Sequence, residues 1–147
     1  MYYEDLEMGK IYKSDAVKTI TGTEIDLVAQ ISGMDLPGFL SPAFAQRRGF
    51  KDRVTPGVYV IACMIGLMAK QGFLADVVAM MGIRDASFRI PLYPGDRVSA
   101  ETEALSVKET KLGGAVTYKW SVFNQEGKLA AEGTNTCIFS SRAARAK

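Results

Sequence analysis

The 147-residue chain has no histidine. Without imidazole it lacks the commonest general base near neutral pH, the commonest transition-metal ligand, and every Ser-His or Cys-His nucleophile pair. Any chemistry must use carboxylates, hydroxyls, backbone amides or a partner's residues. Cysteine is scarce: Cys63 and Cys137 have neither metal spacing nor a disulfide framework, and both read as small buried hydrophobes. No metal is expected. Neither sign of charge dominates, with 18 basic against 16 acidic residues, so a nucleic-acid partner is not expected. The first ten residues carry Glu4, Asp5 and Glu7 instead of a basic start and an apolar run. No secretory signal is visible there, and a cytoplasmic location is expected. No second domain, repeat or low-complexity segment is needed, and a chain of this length buries a core without covalent staples.

What is present is organised around Thr55-Pro56-Gly57 and the uncharged, mostly apolar run from Val58 to Ala69. Thr55 is a good N-cap, and Pro56 suits the first helical position, where its missing N–H has no intrahelical partner to lose. The run is too short to cross a bilayer unaided and apolar all round, so it is expected to be a buried core helix ending near Gln71-Gly72, with no membrane contact. The amides of Gly57 and Val58 stand free at its mouth.

Upstream, residues 10 to 19 form a strand or extended arm. Thr21-Gly22-Thr23-Glu24 is a capping box, and Ile25, Val28, Ala29 and Ser32 share a helical face before Gly33, predicting a short helix over about 22 to 32. Residues 33 to 54 have no steady period apart from a helical turn over Ala43 to Arg47, and long loops of this kind are usually functional. Downstream the period becomes two. Ala86, Phe88, Ile90 and Leu92 alternate with polar residues or proline. Val98, Ala100, Thr102 and Ala104 form a small-residue face whose parity slips near Leu105 and Val107, as at a bulge. Val116, Tyr118, Trp120 and Val122 mark the clearest strand, and a last strand runs from about Lys128 to Ser140. Turns at Pro94-Gly95-Asp96, Lys111 to Gly114, and Asn124 to Gly127 predict an antiparallel meander. Tyr59, Met64, Met68, Met80 and Met81 are assigned to the core. A curved sheet around one apolar helix is the expected architecture. Its open edges call for a second subunit.

That order, with Tyr3-Glu4-Asp5-Leu6-Glu7-Met8-Gly9, Ser32-Gly33, Arg53-Val54-Thr55-Pro56-Gly57, Tyr93-Pro94-Gly95-Asp96-Arg97 and Asn124-Gln125-Glu126-Gly127, resembles the MaoC-like, R-specific enoyl-CoA hydratase and dehydratase family. The resemblance implies an α+β single hot-dog domain over residues 1–140, a curved antiparallel sheet wrapped around one long buried helix. Residues 141–147 are left as a mobile basic tail. It also implies an acyl-CoA or acyl-carrier substrate, no separate cofactor, and a homodimer or a heterodimer with another hot-dog subunit.

In the family, an aspartate follows the Ser-Gly pair, an Asn-Pro pair comes two residues on, and a histidine stands five positions after the aspartate. Aligned through Ser32, Gly33 and Pro37, this chain has Met34, Leu36 and Phe39 where the family has aspartate, asparagine and histidine. Asp35 lies one residue off register and has two readings, a lone catalytic carboxylate or an exposed turn residue. The oxyanion position carries over to Gly57, with Pro56 where many relatives have histidine. The candidate catalytic residues are therefore Asp35 and Gly57. The candidate substrate-binding residues are Met34, Leu36, Phe39, Phe44, Thr55, Val58 and Arg53, the last in a basic cluster with Arg47, Arg48 and Lys51 that faces either solvent or the phosphates of a CoA or carrier arm. Two functions are expected to compete: a divergent hydratase, dehydratase or thioesterase using Gly57 and Asp35, and a non-catalytic subunit paired with an active hydratase.

Overall fold

The capping box at Thr21 forms as the sequence requires: the Glu24 N–H donates to Thr21 Oγ1, and the Thr21 N–H donates to the Glu24 carboxylate. In the computed structural model, which describes residues 1–145, this starts helix α1 (Gly22–Ser32), and Gly33 ends it in the left-handed region at φ 71°. Before α1 come strands β1 (Ile11–Lys13) and β2 (Lys18–Thr19). After it, two short helices, α2 (Pro37–Leu40) and α3 (Pro42–Arg47), lead to the central helix α4 (Gly57–Gln71). Strands β3 (Val77–Phe88), β4 (Arg97–Thr110), β5 (Gly113–Phe123) and β6 (Leu129–Phe139) follow, then one helical turn, α5 (Arg142–Arg145).

The strands form one antiparallel sheet in the order β1-β4-β5-β6-β3, with β2 also paired to β4. Its concave face holds the predicted stripe Val116, Tyr118, Trp120 and Val122, all fully buried, opposite Met64 and Met68 of α4. The parity slip expected near Leu105 is a register shift between Ala104 and Ser106. This is the single hot-dog domain. Among the described residues no helix is long and apolar enough to cross a membrane.

Polar groups under the helix are mostly paired. Trp120 Nε1 donates to Asn135 Oδ1 at 2.8 Å, Asn135 Nδ2 donates to the Tyr118 hydroxyl at 3.4 Å, and that hydroxyl lies 3.6 Å from Cys137 Sγ. Such a network is stabilising only because nearly every member has a partner. Both cysteines are buried and free, and burial pushes both thiols up.

Several expectations need correction. α4 begins one residue late, with Pro56 rather than Thr55 at the cap; the Pro56 carbonyl accepts from both Tyr59 and Val60, and Thr55 Oγ1 caps nothing. The outer stripe of α4, through Val58, Ala62 and Gly66, is exposed, because the sheet covers only the opposite face. Helix α2 was not foreseen. β3 begins at Val77, well before Ala86, and stops at Phe88, so Ile90 and Leu92 lie beyond it. Three register shifts break its two-residue period and hide it in the sequence. Met80 and Met81 are not core: they are exposed on this edge strand, Met81 by 64%. Residues 142 to 145 form a helical turn in which Arg142 bonds to Asp5 and Glu4; residues 146 and 147, the end of the expected basic tail, lie outside the described residues.

The two sheet edges differ. β1 is three residues long and carries the Lys13–Glu101 ion pair, whereas β3 is twelve residues long with Val78, Met80, Met81 and Ile83 exposed. A long apolar edge is a template for another strand.

Candidate functional site

At the start of α4 the chain sets backbone donors against an apolar wall. Thr55 is tied to the segment after β3 by its N–H, which donates to the Leu92 carbonyl at 2.8 Å, and Val54 is tied to Gly38 at 3.0 Å. These links hold the helix mouth under the loop that carries α2. A cavity of about 380 Å³ opens there. Met34, Phe39, Thr55, Pro56, Gly57 and Val58 line one part of it; Phe88, Ile90, Pro91, Leu92 and Ala130, with Val60, line the rest. That volume falls within the range of small-molecule sites.

The Gly57 and Val58 N–H groups occupy the first two helical positions and find no acceptor among the described residues. The Thr55 hydroxyl is buried and also has no partner. Two potential backbone donors therefore stand beside the cavity, where the helix dipole favours negative charge, with the Thr55 hydroxyl buried next to them. Thr55 carries the only polar side chain in the lining. Among the described residues no carboxylate lines the cavity, and backbone donors of this kind can polarise a carbonyl.

Of the residues singled out from sequence, Met34, Phe39, Thr55, Gly57 and Val58 meet at this cavity. Asp35, Leu36, Phe44 and Arg53 lie outside its lining. The Leu36 N–H donates to the Met34 carbonyl at 2.7 Å, closing a three-residue turn centred on Asp35; Met34 lines the cavity and Asp35 is exposed. Leu36 is exposed as well. Phe44 on α3 lies under the Arg48 guanidinium, 5.2 Å from ring centroid to Cζ. The mostly buried Arg53 pairs with Asp26 and donates to the Phe39 carbonyl at 3.4 Å, which braces the α2 loop against α1. Among the described residues no group of three or more metal-ligating side chains is found.

Beside the mouth, Glu24 joins α1 to the first turn of α4. Burial would raise its carboxyl, but Lys18 at 2.6 Å, the Thr21 N–H and the Tyr59 hydroxyl hold it below its ordinary value of 4.5. Burial, with Cys63 and Glu24 alongside, pushes the Tyr59 phenol up, so it stays protonated and donates.

Sequence reasoning missed Phe88 as a site residue. Its signal was visible in the alternation that places Phe88, Ile90 and Leu92 on one face, but nothing in that pattern said the face would cross the mouth of α4.

Comparison with known proteins identifies the family of the chain. The family model described as a MaoC like domain matches residues 6–123. An (R)-specific enoyl-CoA hydratase of Aeromonas caviae is 29% identical over 133 residues, covering 90% of this chain and 95% of that protein. Among solved structures, a monoamine oxidase regulatory protein from Archaeoglobus fulgidus superposes with a TM-score of 0.84 at 25% identity, covering 96% of this chain and 95% of that one. The truncated HadBC (3R-hydroxyacyl-ACP dehydratase) complex of Mycobacterium tuberculosis, at 22% identity, has a TM-score of 0.76 over 88% of this chain and 95% of that chain, a likeness of fold.

Proposed function

The chain belongs to the MaoC-like domain family, whose members are of hydratase and dehydratase type, and on that premise we propose that it binds an acyl thioester of CoA or a carrier arm at the mouth of α4. The thioester carbonyl sits at the Gly57 and Val58 amides, and the acyl group enters the cavity between Met34, Phe39 and Phe88. One observation carries this reading: the unpartnered amides of Gly57 and Val58 stand at the edge of an apolar cavity. A carbonyl oxygen accepts from such donors, and an acyl chain replaces water along such walls.

The lining itself favours binding over complete chemistry. Hydration of an enoyl thioester needs a group to take a proton from water and one to return it, and no side chain at the cavity provides either. The acid and base therefore come from a second hot-dog subunit, paired along the apolar edge of β3. The solved HadBC complex is a related fold whose name records two components. In this reading the chain is the acyl-binding member of a heteromer.

A second reading keeps the chemistry in this chain. Asp35 is the centre of the turn that holds Met34 at the cavity, so a rotation of that turn exchanges the two side chains and makes Asp35 a lone base. The purified protein alone should bind butyryl-CoA by calorimetry and leave crotonyl-CoA unhydrated. Turnover of crotonyl-CoA that Asp35→Asn abolishes would establish the second reading. No binding of any CoA or carrier thioester would remove both. Native mass separates a homodimer from a chain that associates only with a relative retaining the acid and base.

A further inference from the structure

The position of Phe88 depends on an irregularity in β3. Ile83 and Arg84 lie opposite Asn135 and Thr134 of β6, but Ser87 and Phe88 lie opposite Glu132 and Ala131, so three steps along β3 span two along β6. Continued without that extra residue, the register would set Ser87 opposite Ala131. Directly paired antiparallel residues point to the same face, and one residue of slip reverses every later side chain. The bulge therefore turns Phe88, rather than Ser87, toward the helix. It contains Asp85 at φ 52°, the one non-glycine residue with positive φ among the described residues. Asp tolerates that conformation better than a branched or bulky side chain does.

At the other side of the contact stands Gly57. A Cβ there would lie 2.7 Å from Phe88 Cζ and 2.9 Å from Cε1 and Cε2, so the tip of the ring is seated against the bare backbone of the first helical residue. Phe88 is nonetheless 50% exposed and borders the cavity. The ring is placed by the bulge and the missing Cβ, with solvent around much of the rest.

We propose that Phe88, turned to the helix mouth by the bulge at Asp85, is the residue that limits substitution on the acyl carbon next to the thioester carbonyl. The inference rests on the acyl-thioester reading above and deepens it. A carbonyl oxygen about 2.9 Å from the Gly57 nitrogen brings its α-carbon within a few ångströms of the ring. Non-bonded carbons need about 3.5–4.0 Å. An unbranched chain meets that condition by running past the ring tip. Methyl groups on the α-carbon have to occupy the ring's own space. The substrate class is thus acyl groups unbranched next to the carbonyl.

Equilibrium binding of butyryl-CoA and pivaloyl-CoA to the full-length protein, wild type and Phe88→Ala, tests this. Both ligands carry the same CoA, and neither has the double bond needed for hydration. Wild type should prefer butyryl-CoA by at least about tenfold, and Phe88→Ala should remove about tenfold of that preference by tightening pivaloyl-CoA, with butyryl-CoA little changed; one hydrocarbon group is worth a discrimination of that order. Phe88→Leu should fall between them and carries the test if the alanine variant loses the near-ultraviolet signal of Trp120. Equal weakening of both ligands, or no change in preference, overturns the role of Phe88 while leaving acyl-thioester binding in place. Failure of wild type to bind either ligand overturns the role and the underlying reading together.

Discussion

The central helix is finished differently at its two ends. At the C-terminal end, Gly72 turns into the left-handed region at φ 107° and its N–H donates to Ala69, the Leu74 N–H reaches back to Met68, and the Phe73 N–H donates to the Gln71 side chain. Phe73 then plugs the core at 0% exposure, with Tyr12, Tyr118 and Phe139 rings at 5.1, 5.3 and 5.7 Å. At the N-terminal end, two amides and a buried hydroxyl have no partner, and the phenylalanine that arrives there is half exposed. Backbone groups that are inaccessible to water usually find partners. One end follows that rule and stabilises the domain. At the other only the Thr55 hydroxyl is buried without a partner, and the amides of part-buried Gly57 and exposed Val58 are left to water or to a ligand in the cavity.

The sharpest way to break this contrast is to truncate the phenylalanine at each end. Phe73→Ala should cost about 3–5 kcal/mol in urea denaturation, the usual range for a fully buried ring. Phe88→Ala should cost about 1 kcal/mol or less, because half the ring is already in water. Equal costs would mean that the open end is as structural as the closed one.

The same substitution at the two glycines comes next. Gly72→Ala forces a Cβ into the left-handed region and should cost about 1–2 kcal/mol while butyryl-CoA affinity is unchanged. Gly57→Ala meets no such backbone strain, but its methyl must displace the Phe88 ring. It should change stability by less than about 1 kcal/mol and weaken butyryl-CoA severalfold. Reversal of these two phenotypes would exchange the roles assigned to the two ends.

Thr55→Val sharpens the argument from unpartnered groups. Replacing a buried hydroxyl that bonds to nothing with a methyl should raise stability by about 1 kcal/mol in urea denaturation. A loss of stability in that variant would show that the hydroxyl is satisfied in the free protein.

The smallest effect concerns Glu24, which ties α1 to the first turn of α4. Its carboxyl is held below 4.5, so its contribution is complete above that pH and is lost as the pH falls through the lowered value. Glu24→Gln should remove this part of the acid-induced decline in melting temperature, by a few tenths of a kcal/mol for a partly exposed group. Parallel curves for the two proteins would dismiss the coupling.

Local rules recovered much of this arrangement. The box at Thr21 and Glu24, the stop at Gly33, the alternation from Val116 to Val122 and the slip after Ala104 each depend on neighbours a few residues apart, so the sequence states them directly. Of the candidate site, the helix mouth with Gly57 and Val58 was legible in the same way, whereas Met34 and Phe39 were singled out only through the resemblance to the family. Phe88 was not, because its partner Gly57 is thirty-one positions away and its direction depends on a bulge registered against β6. Arg53 shows the converse: its place in a basic cluster suggested an anion, and only the fold brings Asp26 and the Phe39 carbonyl to its guanidinium.

By itself the sequence determined that one apolar helix needs a curved antiparallel sheet around it, and that any imidazole at its mouth has to come from outside these 147 residues. Both follow from composition and short-range periodicity. Tertiary structure alone decided which residues face the mouth of that helix. Side-chain direction along an edge strand reverses with each bulge, and a bulge is defined by the strand it pairs with. Thr55-Pro56-Gly57 was marked from the start as an opening; the register of β3 against β6 sets Phe88 across it.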